Sequence, residues 1–292
     1  MRNRKSSPPP KQQRRRPSSG GTGRDPGTAR PPKAPGTGAS PPPERTGGGL
    51  WLHGTHAVLA ALGNPRRRCH RLLITGEARA RLHGELARLE AARPGLPIEE
   101  AADRSIIEAL LPPGAVHQGL ALSVDPLPPV DWEGLVERLP AGRQLVVILD
   151  QVSDPHNVGA ILRSAACFGA ALVLNTERQA AGETGTLAKA ASGALEHVPY
   201  QQVVNLARSL DRLKAMGFWV LGLAGEAPTR LDAGSLPDGL ALCLGAEGPG
   251  LRRLTRERCD LLLTLPAHGP IRDLNVSNAA AVALYELLGR GR

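Results

Sequence analysis

Apolar residues along this chain cluster in two patterns. Residues 145–149, 171–174, 218–222, 240–244 and 261–265 are short, nearly continuous apolar runs, as strands buried on both faces require. Between them and after the last, the segments 158–168, 186–195, 206–216, 251–258 and 277–288 carry apolar positions at helical spacing. Strands alternating with helices predict an α/β domain with a mostly parallel, doubly covered sheet over residues 144–292.

Upstream the same patterns recur on a smaller scale. Residues 56–62 predict a helix closed by Gly63-Asn64-Pro65, and 71–75 a strand. Residues 77–92 predict one helix that stops before Pro94, and 105–111 a short one stopped by Pro112-Pro113. Residues 117–124 return as a strand, which gives a small α/β domain over 50–125. Residues 126–143 have the proline- and charge-rich texture of a linker, with a helical turn or two around 132–138.

Composition changes the picture mainly at the start. Residues 1–48 contain no Leu, Ile, Val, Phe, Trp or Tyr, so they cannot bury enough apolar area to fold and are predicted to be disordered. They hold eleven Lys or Arg against two acidic residues, a net +9 that equals the net charge of the whole chain. The remaining residues are therefore neutral overall. Such a tail either attracts an RNA backbone and speeds encounter or only keeps the chain in solution. Its many prolines disfavour the amphipathic helix of a mitochondrial transit peptide.

The rest excludes classes. No apolar run approaches the ~20 residues of a membrane span, and no apolar segment follows the basic start as a secretory signal would. Cys69, Cys167, Cys243 and Cys259 are widely spaced, so they read as reduced thiols of a cytoplasmic protein and not as a metal site. Aromatic residues make up 2% of the chain, too few for stacking platforms that bind single-stranded RNA.

Candidate chemistry falls at three strand-to-helix junctions, where open α/β sheets bind ligands. The first, Asp150-Gln151-Val152-Ser153-Asp154-Pro155-His156-Asn157, leads to Arg163. Asn157 suits a helix N-cap. Arg163 lies among residues that favour burial and so calls for an anion: Glu247, a phosphate, or both. The second junction, Gly245-Ala246-Glu247-Gly248-Pro249-Gly250, allows close backbone approach and positive φ. Its glycine order does not fit a dinucleotide fingerprint or a phosphate loop. In the third, Asp273-Leu274-Asn275-Val276-Ser277, either Asn275 or Ser277 would cap the last helix.

At these residues the chain resembles the SpoU (TrmH-type) family of SPOUT-class RNA 2′-O-methyltransferases. Gly54-Thr55-His56-Ala57-Val58 and His117-Gln118-Gly119-Leu120-Ala121 resemble the small substrate-binding domain of the branch that modifies a guanosine of 23S ribosomal RNA. The resemblance implies a C-terminal trefoil knot, a homodimer, RNA as substrate and S-adenosyl-L-methionine as cofactor, with tRNA as the alternative substrate. A non-catalytic RNA-binding or assembly factor on the same scaffold is the reading from another class. By resemblance, Asn157, Arg163, Glu247 and Asn275 form the catalytic set, with Glu247 orienting Arg163. The backbone and apolar groups at Leu244, Gly245, Leu265, Pro266 and Leu274 would hold the cofactor. One position departs from the family: Asp273 stands where Ser is usual, which adds negative charge.

Overall fold

The computed structural model describes residues 50–177, 182–270 and 274–290. The tail expected at 1–48 and the departure at Asp273 lie outside the described residues.

The chain runs through β1 (Leu50–His53), α1 (Thr55–Gly63), β2 (Cys69–Thr75), α2 (Gly76–Arg81), α3 (His83–Ala92), β3 (Ile98–Ala101), α4 (Arg104–Glu108), β4 (Leu120–Val124) and α5 (Trp132–Glu137). It continues through β5 (Gln144–Asp150), α6 (Pro155–Phe168), β6 (Leu172–Thr176), α7 (Gly185–Ala191), β7 (Tyr200–Val203), α8 (Leu206–Ala215), β8 (Trp219–Leu223) and β9 (Thr229–Arg230). It ends with β10 (Gly239–Gly245), α9 (Arg253–Arg256), β11 (Leu261–Thr264) and α10 (Val276–Leu284).

Two sheets form. The first four strands make a mixed sheet in the order β1-β4-β2-β3, and the others make a seven-stranded sheet in the order β7-β6-β5-β10-β8-β11-β9. Every pairing in the larger sheet is parallel. The α/β reading with a mostly parallel sheet therefore holds. Alternation along β5 shows why both faces are covered. Leu145, Val147 and Leu149 belong to the core that α1, α6, α7 and α10 share, whereas Val146 and Ile148 pack with Leu206, Leu210 and Leu213 of α8 on the other side.

Strand order locates a crevice. From β5 the chain steps outward through β6 and β7, then crosses to the other side for β8 and β10. Neighbouring β5 and β10 are thus the point where connections diverge, and ligands bind beyond the carboxyl ends of strands at such a point. Asp150 and Gly245, the last residues of β5 and β10, are register partners there.

The small sheet is fixed to the large one by buried charge. Arg67, between α1 and β2, has a guanidinium with no exposed surface. Its Nη2 meets Glu196 Oε1 at 2.5 Å, and its Nη1 pairs with Glu183 and donates to the Asp125 carbonyl. Both acids flank α7. Asn64 Nδ2 also donates to Glu196 at 2.7 Å, and Glu183 accepts from the Leu127 amide at 2.9 Å. Buried charges endure only when paired and hydrogen-bonded in this way.

Candidate active site at three converging loops

The loop after β5 turns sharply at Gln151, which has φ 63°. Asp154 then caps α6 by accepting from the His156 amide at 3.0 Å, and Pro155 occupies the first turn, where its missing N–H costs nothing. The expectation that Asn157 caps this helix is thus corrected. With Asp154 in that role, the Asn157 side chain is free to point away from its own helix. Its Nδ2 donates to Glu247 Oε1 at 3.0 Å.

Glu247 stands on a loop folded back onto its own strand. Gly250 N donates to the Ala246 carbonyl at 2.9 Å, and Gly250 has φ 67°. The return brings backbone so close that a Cβ on Gly245 would lie 2.1 Å from the Gly250 carbonyl carbon. Only glycine fits there. The far end of the loop is tied down by Asp150, a carboxylate with no exposed surface. Its Oδ2 accepts from the Arg252 amide at 2.9 Å and its Oδ1 from Arg252 Nε at 2.5 Å. The sequence reading gave neither residue a role. The signal was present, because Asp150 is the one charged residue closing an otherwise apolar strand.

Asn275 joins the third loop to the other two. Its Oδ1 caps α10, accepting from the Ser277 amide at 2.9 Å and the Ser277 hydroxyl at 2.5 Å. This fixes the amide so that Nδ2 faces outward, where it donates to Glu247 Oε1 at 2.5 Å and to Asn157 Oδ1 at 3.0 Å. Asn157, Glu247 and Asn275, from three separate junctions, therefore form one hydrogen-bonded triangle. Of the two capping candidates, Asn275 is the cap, and it still reaches the site.

Arg163 is placed differently from expectation. It is exposed, and among the described residues no hydrogen bond or ion pair joins it to Glu247. Helix α6 is amphipathic: Val158, Ile161, Leu162 and Ala165 are buried, while His156, Arg163 and Cys167 lie on the open side. Arg163 sits ~9 Å further along the axis than Asn157 and faces a different direction. Its guanidinium needs no interior anion and remains open to an external one.

The residues expected to hold a cofactor share the carboxyl edge of the large sheet. Gly245 ends β10, and Leu265 and Pro266 follow β11, with β8 between them, a span of ~10 Å at normal strand spacing. Leu274 precedes the cap Asn275 and is 52% exposed. The Leu244 side chain is 1% exposed and packs in the core, so that residue offers only its backbone.

The two small-domain stretches also meet. Gln118, with φ 56°, accepts through Oε1 from the Thr55 amide at 2.9 Å and from Lys189 Nζ of α7 at 2.8 Å. Burial, followed by the charges of Lys189 and His117, holds His53 below the usual imidazole value.

Residues 144–285 match the SpoU rRNA Methylase family, and residues 51–130 match the family described as RNA 2′-O ribose methyltransferase substrate binding. The chain is 40% identical over 237 residues to the 23S rRNA (guanosine-2′-O-)-methyltransferase RlmB of Vibrio cholerae, an alignment covering 80% of this chain and 94% of that one. The chain belongs to the SpoU family. A second relative, an uncharacterized tRNA/rRNA methyltransferase of Synechocystis, is 38% identical over 238 residues; the match covers 81% of this chain and 61% of that longer protein. Among solved structures, the SpoU methyltransferase AviRb from Streptomyces viridochromogenes, determined with the cofactor AdoMet, has the same fold. Its TM-score is 0.67 at 22% identity, covering 84% of this chain and 92% of that one.

Proposed function

We propose that this SpoU protein methylates a ribose 2′-hydroxyl of RNA with S-adenosyl-L-methionine, and that its substrate is a guanosine of 23S ribosomal RNA. The observation that carries the reading is the Asn157–Glu247–Asn275 triangle at the sheet's divergence point. RlmB, the 40%-identical Vibrio protein, supports the substrate.

The residues present suit the cofactor. A glycine that tolerates no side chain bares the backbone at Gly245, and Leu265, Pro266 and the exposed Leu274 offer apolar surface for an adenine ring. When bound, S-adenosyl-L-methionine supplies an electrophilic sulfonium methyl group. The chain's own part is orientation and charge. Holding the reacting groups in line is worth ~7–11 kcal/mol in favourable cases. Glu247, gripped by both asparagines, keeps the three loops in one arrangement. Arg163, open to solvent, binds the phosphate beside the target ribose and stabilises the alkoxide that develops on the 2′-oxygen. A guanidinium with pKa above ~12 is a poor proton acceptor, so its role is electrostatic.

Further parts of the reading follow from the family. The C-terminal segment is threaded through a loop as a trefoil knot that shapes the cofactor pocket. The protein works as a homodimer, for which the exposed Val282 and Tyr285 offer apolar surface. The small domain holds RNA, and the protein acts in the cytoplasm.

The deciding experiment supplies labelled cofactor together with 23S rRNA, tRNA or buffer and maps 2′-O-methylation. Label confined to one guanosine of 23S rRNA is the expected result. Label in tRNA would move the substrate, and cofactor binding without transfer to either RNA would leave only a binding factor.

A further inference from the structure

Cys243 lies in β10 directly opposite Gly222 of β8. Paired residues of parallel strands point their side chains to the same face, and neighbouring strands run ~4.8 Å apart. Gly222 leaves its place on that face empty, and the Cys259 sulfur enters it together with Leu262 and Leu251: a Cβ on Gly222 would lie 2.8 Å from Cys259 Sγ. Cys243 and Cys259 therefore both border the gap over Gly222, in one apolar cluster with Val220, Leu251 and Leu262. The Cys259 thiol itself donates to the Thr255 carbonyl at 3.3 Å.

Their surroundings differ. Cys243 is fully buried, and Cys259 is partly open to solvent. The neighbouring Cys243 thiol holds the Cys259 thiol below its ordinary pKa against the effect of burial and Asp260, helped by the charges of Lys214 and Arg256. The Cys243 thiol is pushed up, by its neighbour Cys259 and then by burial. A partly exposed, thiolate-prone cysteine beside a second cysteine is the arrangement that oxidants find.

We propose that Cys243 and Cys259 are an oxidative modification site, a dithiol that a hydroperoxide converts into a disulfide. The Cys259 thiolate attacks the peroxide and the O–O bond breaks. The distal oxygen stays on sulfur as a sulfenic acid, and the other leaves as an alcohol or water. Cys243 sulfur then attacks the Cys259 sulfur, the S–O bond breaks, and hydroxide departs as water with the Cys243 proton. The dithiol loses two electrons and the peroxide gains them. The new bond staples the two ends of the segment that carries Gly245 and Glu247.

The test treats the full-length protein with hydrogen peroxide, blocks free thiols under denaturing conditions and analyses it by mass spectrometry. The expected result is a loss of about 2 Da, a peptide linking Cys243 to Cys259, and recovery of both thiols with dithiothreitol. In the Cys259→Ser variant, Cys243 should remain a free thiol under the same treatment. The proposal is overturned if Cys259 goes to sulfinic acid while Cys243 stays alkylatable, or if Cys243 oxidises equally well without Cys259. Neither readout depends on methyl transfer, so the outcome stands apart from the fate of the proposed activity.

Discussion

The Asn275 amide serves two masters: its oxygen caps α10 through the Ser277 amide at 2.9 Å, and its nitrogen reaches Glu247 Oε1 at 2.5 Å. The two roles can be separated. Asn275→Asp keeps the capping oxygen, and Asp caps as well as Asn does. It also replaces the donor with a second carboxylate facing Glu247. Chemical denaturation should show a stability change within ~1 kcal/mol, while methyl transfer falls at least ~10-fold, or ~1.4 kcal/mol in the barrier. Activity loss in proportion to unfolding would reduce Asn275 to a cap.

Arg163 makes no ion pair or hydrogen bond with Glu247 among the described residues, so Arg163→Ala should alter stability by less than ~0.5 kcal/mol. Turnover should drop ~100-fold or more, as when a transition-state donor is lost. Arg163→Lys keeps the charge but not the planar fork and should fall between the two. Near-full turnover of the lysine variant at neutral pH would refute a need for guanidinium.

Gly245→Ala places a methyl group against the Gly250 backbone, which has no side chain to swing aside. Overpacking of this kind costs ~1–3 kcal/mol. Calorimetry should show cofactor affinity lowered along with the melting temperature. Unchanged affinity would mean the folded-back loop lies outside the pocket.

His53 gives the fold a pH dependence. Its pKa is lowered from 6.5 by burial and then by Lys189 and His117, so the unfolded chain takes up the proton first. Stability should be complete above about pH 6.5 and fall as pH drops towards the depressed folded value, by at most ~1.4 kcal/mol per pH unit. Urea unfolding of His53→Leu across this window should show a flatter profile. Because His53 Nδ1 is buried without a hydrogen-bond partner among the described residues, the variant should lose little at neutral pH. An equal slope in both proteins would assign the acid sensitivity elsewhere.

The five principal strands of the large sheet were legible because burial on both faces demands unbroken apolar runs. Four strands escaped: β1, whose Leu-Trp-Leu run is only three apolar residues long, and three that the pattern does not mark. β7 contains Gln201 and Gln202 at an edge of its sheet, β3 contains Glu99 and Glu100 at an edge of the other, and β9 is two residues long. The helix expected over 77–92 is two helices, interrupted at Leu82 with φ −107° and ψ 12°, just before Gly84, a weak helix former. The segment 186–195 likewise ends its helix at Ala191, because Ser192 and Gly193 turn left-handed. At the site, residue types at the junctions pointed to Asn157, Glu247 and Asn275. Arg163 was misjudged because its apolar neighbours in sequence face the core while it does not.

Arg67 reaches further than its own neighbourhood. By clasping Glu183 and Glu196 on either side of α7, it ties the small sheet to the large one, so the spacing between them is set during folding. Evolution could not easily retarget such an enzyme by trading its front module alone, since any graft would have to bring a matching basic plug for those two acids.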